Sequence, residues 1–165
     1  MKAELFSTDF IISIILFISI IIVTGFYYNN LQSDIYQNYI RSDMQRKAIS
    51  ISDLLATSSG NPKYWDATNV NVLGLQDSGK INLTKFQELK KLDHNTVRNM
   101  LGTGVYNINI TLKNETGSVI NEGGTVYTFG TPIINAKNVV TIKRLGIADI
   151  STQIKKVIME VILWE

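Results

Sequence analysis

The sequence contains no cysteine and a single histidine, His94. A chain without cysteine has no disulfide framework, no thiolate metal site and no cysteine nucleophile. One histidine leaves metal binding or a catalytic triad resting on one side chain, and we interpret His94 as a solvated residue in the first turn of a helix. No Gly-x-Ser-x-Gly elbow is present, so a hydrolase triad has no support. We therefore expect no enzymatic activity, no metal and no cofactor.

A surplus of charge of one sign is also missing. The 16 basic side chains face 14 acidic ones, which leaves a net charge of +2 on 165 residues. This balance gives no electrostatic footprint for nucleic acid, so we expect no nucleic-acid partner. Gly102-Thr103-Gly104 and Gly123-Gly124 lack the strand-to-helix context of phosphate-binding loops, and we interpret them as turns.

One long apolar run stands near the start of the chain. Residues 10–28 carry no charge, and the first charged residue after them is Asp34. About 20 apolar residues span a bilayer as a helix, and Tyr27 and Tyr28 stand where an interfacial aromatic belt is expected. A secretory signal peptide fits less well, because Thr24-Gly25-Phe26 is not a small-x-small cleavage site. We expect a single retained membrane span, with the few preceding residues inside the cell and the rest outside.

Helical periodicity continues beyond the apolar run. The sequence has no Pro or Gly between Gly25 and Gly60. In this interval one apolar stripe has a spacing of three and four residues and consists of Tyr36, Ile40, Met44, Ala48, Ile51 and Leu55. An unbroken helix over about residues 5–57 would be about 80 Å long at 1.5 Å per residue. Gly60 and Pro62 are placed where such a helix ends.

After Pro62 the pattern changes to short elements. We predict a strand at residues 70–75, a capping box at Thr84–Gln87 that opens a helix ending at Leu92, and a helix over residues 94–101 capped by Asp93. Period-two alternation predicts strands at residues 106–112, 118–120, 126–129, 138–145 and 155–164. The last of these is apolar on both faces, so we place it centrally in the sheet. The predicted fold is α+β: a long N-terminal helix, half membrane-spanning and half amphipathic, packed on a C-terminal antiparallel β-sheet head.

The N-terminal fifth combines Lys2-Ala3-Glu4, Ser7-Thr8-Asp9, the apolar helix and its amphipathic continuation. This combination resembles archaeal type IV pilin-like proteins with a class III signal peptide. The heads of such proteins are also similar to this chain in residues 60–62, 69–75 and 86–92, in Leu101-Gly102 and in the Trp164 ending. The resemblance implies cleavage by a membrane peptidase, with Ala3 followed by Glu4 as the nearest match to its site. It also implies an acidic residue near the mature N-terminus. Asp9 becomes the sixth residue if the cut follows Ala3, and the fifth if it follows Glu4.

The resemblance and the hydropathy pattern together divide the chain into four segments. These are a candidate leader peptide at residues 1–4, a transmembrane or filament-core helix at 5–28, an amphipathic helix continuing into the head at 29–57, and an extracellular α+β head at 58–165.

Asp9 has two interpretations. A carboxylate near the start of a membrane helix is costly unless it is paired, and the N-terminal amine of a neighbouring subunit is a suitable partner. Asp9 would then set the register between subunits. Alternatively, Asp9 lies among the cytoplasmic lipid headgroups, where the positive end of the helix favours a carboxylate.

Three Asn-x-Ser/Thr sequons are candidate N-glycosylation sites, at Asn82, Asn109 and Asn114. A chain this rich in Asn, Ser and Thr contains two or three such triplets by chance. The motif alone therefore does not separate a modified site from a coincidence.

Three functions are compatible with these patterns. The first is a pilin-like subunit of a type IV pilus or related cell-surface filament, major or minor. Its partners would be membrane lipid, a prepilin-peptidase-like enzyme and other pilin-like subunits. The second is a single-pass, membrane-anchored extracellular binding or accessory protein that does not polymerise. A membrane-tethered enzyme explains the fewest features.

Overall fold

A computed structural model describes residues 8–165 of the chain. Its elements, numbered in chain order, are the helices α1 (Thr8–Thr57), α2 (Leu83–Lys91) and α3 (His94–Met100), and the strands β1 (Gln76–Asp77), β2 (Lys80–Ile81), β3 (Asn107–Lys113), β4 (Asn121–Glu122), β5 (Thr125–Val126), β6 (Thr128–Gly130), β7 (Val139–Ile150) and β8 (Gln153–Trp164).

The predicted α+β arrangement is confirmed. Helix α1 runs for 50 residues without a break, as expected from a stretch with no Pro and no Gly after Gly25. The chain divides after Ile40 into two compact units. The first contains the apolar part of α1. The second, Arg41–Glu165, contains the last part of α1 and all other elements. The term head is kept for residues 58–165, on which this part of α1 packs.

The main sheet of the head has six strands in the order β1-β2-β7-β8-β3-β6. Strand β8 lies between β7 and β3 and is antiparallel to both, so its predicted central position is confirmed. A central place suits a strand that is apolar on both faces, because neighbours satisfy its backbone groups on both sides. One pairing departs from the expected antiparallel pattern: β2 is parallel to β7 where Ile81 pairs with Ala148.

One face of the sheet forms the core together with the last part of α1. The register aligns buried residues of β3 and β8 in cross-strand pairs, namely Ile108 with Leu163, Ile110 with Val161 and Leu112 with Met159. Helix α1 contributes the buried side chains Met44, Ala48, Ile51 and Leu55. The stripe predicted from helical spacing is therefore, over this part, the face by which α1 packs on the head.

The predicted strand at residues 70–75 is wrong. Val72 makes only an isolated bridge to Asn61, and Leu75 N donates to Leu55 O at 2.9 Å. The alternation reflects burial of Leu73 and Leu75 in the core and not membership of a sheet. Gly74 is required here, because a Cβ atom at this position would lie 2.4 Å from Ser58 O.

Two other strand predictions also need correction. Residues 118–120 form no strand, only an isolated bridge between Val119 and Lys113. The predicted strand at 126–129 is split between β5 and β6, which belong to different sheets. Tyr127 lies at the split and is hydrogen-bonded in both directions. Its N–H donates to Ile120 O, in line with the β4–β5 register, and its carbonyl accepts from Leu112 N, in line with the β3–β6 register. The chain therefore passes from one sheet to the other at this residue.

The two short helices are confirmed, with one change of cap. Asn82, not Thr84, caps α2, because its side chain accepts a hydrogen bond from Lys85 N at 3.2 Å, and the helix therefore starts at Leu83. Asparagine is among the strongest N-cap residues, so the earlier start is favoured. Asp93 caps α3 as predicted and accepts hydrogen bonds from Asn95 N and Thr96 N.

Candidate functional site

The apolar part of α1 is the most distinctive surface of the described chain. Every large apolar side chain in residues 10–28 is exposed, from 41% at Ile14 to 70% at Tyr27. Among the described residues, α1 is the one helix that is long and apolar enough to cross a membrane, and its most apolar window has no buried residue. An apolar surface of this extent is compatible with a single-pass membrane anchor.

Two serine hydroxyls within this stretch are satisfied by the helix itself. Ser13 Oγ donates to Asp9 O at 2.8 Å, and Ser19 Oγ donates to Ile15 O at 2.7 Å. Each bond reaches back four residues, the arrangement that lets a hydroxyl reside in an apolar environment. Beyond the apolar run, Gln32 Nε2 donates to Tyr28 OH at 2.7 Å.

Asp9 lies in the first turn of α1, where its side chain is exposed. Within residues 8–165 no salt bridge includes Asp9. A carboxylate in the first turn is favoured by the positive end of the helix, which both interpretations of Asp9 share. Ala3 and Glu4, the expected cleavage residues, lie outside the described residues.

Polar contacts hold the last part of α1 to the head. Tyr106 OH donates to Asp43 Oδ2 at 3.0 Å. Burial would raise the pKa of Asp43, but the hydrogen bonds from Tyr106 and Lys47 outweigh it, so this pKa lies below its ordinary value. Further along α1, Arg144 Nε donates to Ser52 Oγ at 3.1 Å. Two polar side chains of α1, Asp43 and Ser52, therefore bind the head, and periodicity alone did not identify these contacts.

His94 is half-buried and not solvated as predicted. Its ring stacks on Phe129 with centroids 5.9 Å apart, and its Nε2 lies 3.3 Å from Ile108 O. The part of the chain that the structure describes holds no group of three or more His, Cys, Asp or Glu side chains placed to bind a metal. The geometry therefore gives His94 a packing role between α3 and β6.

The three sequons lie in different environments. Asn82 is half-buried and caps α2. Asn109 is a half-buried residue of β3 that pairs with Ile162 on one side and Gly130 on the other. Asn114 is exposed in the turn after β3, where its Oδ1 accepts hydrogen bonds from Thr116 Oγ1 at 2.7 Å and Ser118 N at 2.9 Å.

Sequence reasoning missed a buried lysine in the head. Lys85, in α2, is only 4% exposed, and its ammonium group donates to Ser59 O at 2.7 Å and to Gln76 O at 3.2 Å. Burial lowers the pKa of Lys85 below its ordinary value. No local pattern distinguishes it from the exposed Lys90 and Lys91 of the same helix, because its burial depends on where α1 ends.

The chain was compared with models of protein families, with curated protein sequences and with solved structures, and none of the three comparisons found a match.

Proposed function

We propose that this chain is a membrane-anchored, pilin-like structural subunit that assembles through its N-terminal helix into a type IV pilus or a related cell-surface filament. The observation that carries the proposal is the continuity of α1. The same helix supplies the exposed apolar run of residues 10–28 and the buried core residues Met44 to Leu55, with no linker between them.

Helix continuity separates this proposal from a plain tether. An anchored binding domain needs only a span and a connection of any kind, and flexible linkers are rich in Gly, Ser and Pro. Here the connection is helical, and it carries exposed apolar side chains beyond the span, among them Leu31, Ile35 and Tyr39. A filament subunit gives these residues a use, because helices of neighbouring copies cover them.

The exposed apolar face has two successive partners under this proposal. Lipid surrounds residues 10–28 before assembly, and helices of other pilin-like subunits replace the lipid in the filament. We propose an N-in orientation with the head outside, and processing by a prepilin-peptidase-like enzyme at Ala3 and Glu4. The role is structural, with no catalysis and no nucleic acid.

Asp9 provides the test. In a filament core its carboxylate pairs with the N-terminal amine of a neighbouring subunit, and removal of one partner of a buried ion pair costs about 3–5 kcal/mol. D9A should therefore lower the fraction of subunit recovered in sheared filaments by more than about tenfold, while expression and membrane insertion remain unchanged. D34A, which removes the next acidic residue along α1 but lies beyond the apolar run, is the matched control and should assemble normally.

Processing supplies the linked measurement, because the proposed pairing needs a newly formed amine. A bulky side chain in A3F should block cleavage and assembly together, as read by intact mass and by filament recovery. The proposal is wrong if mature protein that retains Met1 still forms its native assembly, or if D9A assembles like the wild type. Either result would favour the single-pass accessory protein that does not polymerise.

A further inference from the structure

The turn that follows β3 contains the sequon whose asparagine, Asn114, is accessible to a modifying enzyme. Asn114 is exposed, in a turn closed by hydrogen bonds from Gly117 N to Asn114 O at 3.0 Å and from Asn114 N to Ser118 O at 2.8 Å. Within the described residues its Oδ1 is bonded and its Nδ2 makes no hydrogen bond. The nucleophilic atom of the sequon is thus free, and the sequon lies in a surface turn that begins directly after Lys113, the last residue of β3.

The sequon at Asn109 contains the same threonine-to-asparagine hydrogen bond, but it lies within a strand of the main sheet. Thr111 Oγ1 donates to Asn109 Oδ1 at 2.9 Å, as Thr116 does to Asn114. However, Thr111 is buried, and Asn109 Nδ2 donates to Thr131 O at 3.3 Å. A saccharide on Asn109 would therefore break the hydrogen bond from Nδ2 to Thr131 O, and the Thr111 hydroxyl that the sequon needs is buried in the folded sheet.

The sequon at Asn82 is occupied by a structural role. Its amide oxygen caps α2, and Leu83 and Thr84 already belong to the helix. A transferase that binds a sequon as a surface loop would have to unwind the start of α2 and expose Lys85, which is buried. This sequon is therefore protected by the fold even though Thr84 is exposed.

Space for a bulky group exists beside Asn114. A cavity of about 470 Å³ is lined by Asn114, Glu115, Thr116, Ile150, Ile154, Lys155 and Lys156. Its apolar side is formed by the two isoleucines that flank the β7–β8 turn, and Ile154 is 61% exposed. Lys155 and Lys156 also line the cavity. The lining thus offers a sugar ring apolar contact with the isoleucines and polar partners in the two lysines.

We propose that Asn114 is the N-glycosylated residue of this protein and that its first sugar lies over the cavity bounded by Ile150 and Ile154. The inference rests on the proposed function in one respect, namely that the head lies outside the cell. The donor is a saccharide linked to a lipid phosphate. Asn114 Nδ2 attacks the anomeric carbon, a C–N bond forms, the bond from that carbon to the phosphate oxygen breaks, the lipid phosphate leaves with the electron pair, and Nδ2 loses one proton to solvent.

The experiment is mass spectrometry of the full chain isolated from its native membranes, with the saccharide localised among the three sequons. We expect an added mass on Asn114 alone. N114Q and T116A should each lose all of this mass, whereas T116S should retain it, because the hydroxyl that the sequon needs is kept. T84A removes the Asn82 sequon without touching the cap and should leave the mass unchanged.

Protease treatment of intact cells, in parallel, separates this inference from the proposed function. A head that is cleaved from outside but carries no saccharide on Asn114 overturns the inference and leaves the orientation standing. A head protected inside the cell overturns both. A saccharide on Asn82 or Asn109 also overturns the inference, because the fold would then not be what selects the site.

Discussion

The ammonium group of Lys85 is held by two backbone carbonyls, those of Ser59 and Gln76, at the point where the chain leaves α1 and enters the sheet. These bonds join three separate segments through one side chain. K85M keeps the aliphatic stem but removes both hydrogen bonds, and loss of the donor to buried acceptors costs about 1–3 kcal/mol. We expect the free energy of unfolding of the head to fall by this amount, measured on the full chain in detergent by urea titration of tryptophan fluorescence.

The exposed lysine of the same helix is the control. Lys91 makes an ion pair with Glu88 at its surface, and such pairs contribute about 1 kcal/mol or less, so K91M should change stability by no more than that. The pH dependence of the free energy of unfolding provides a second test of the role of Lys85. Because burial lowers the pKa of Lys85 from its ordinary 10.5, the unfolded state binds more protons between the two values. The stability of the wild type relative to K85M should therefore rise with pH in that window, and a flat or falling difference would contradict the assignment.

Residue environments were the part of the molecule least accessible from sequence. Asp9 and the sequons could be located by motif, because motifs are local. The exposure of Asn109 depends on β6 and β8, the two strands that pair with β3 and that follow it later in the chain. His94 was expected in solvent for the same reason, since nothing near it in sequence announces the contact with Phe129.

Among the elements, the long helix, the long strands and the two capped short helices could be predicted, whereas the shortest strands could not. Helix α1 and strand β8 each repeat their pattern often enough to exclude the alternative period. Two-residue strands such as β4 and β5 have no period to detect. The sequence also does not predict the two-residue turn between β7 and β8. Ser151 and Thr152 both adopt positive φ there, 51° and 67°, whereas such turns usually contain Asn-Gly.

The packing of α1 on the head supplies a prediction at the scale of this element. Leu55 is fully buried, so L55A removes apolar contacts and leaves a cavity, a change that costs about 2–5 kcal/mol. I49A is a matched truncation on the same helix at a residue that is 37% exposed, and it should cost less than about 1 kcal/mol. Urea unfolding of the two full-length variants makes the comparison. Equal losses would show that α1 does not bury the predicted stripe in the head.

On the scale of the whole molecule, one sequence combines two kinds of surface. The head has a buried apolar core that it shares with α1, whereas residues 10–28 leave every large apolar side chain exposed. A head that is stable on its own core does not need the apolar run for folding. The run therefore serves an environment outside the head, and changes within it should alter membrane association without altering the fold.

The double variant I15R/I18R tests this division. Both side chains lie near the middle of the apolar run and are exposed, and each arginine costs about 2.5–3.5 kcal/mol at the centre of a membrane helix, or roughly 5–7 kcal/mol together. We expect most of the variant to leave the membrane pellet on alkaline carbonate extraction, while wild-type protein stays. L31R/I35R places the same two charges on exposed apolar residues of α1 beyond the run, where the side chains reach water, so this control should stay in the pellet. Limited proteolysis should give the same resistant head fragment from all three proteins. If I15R/I18R remains in the membrane as firmly as L31R/I35R, residues 10–28 do not contact lipid, and their exposure must be explained by contacts with protein alone.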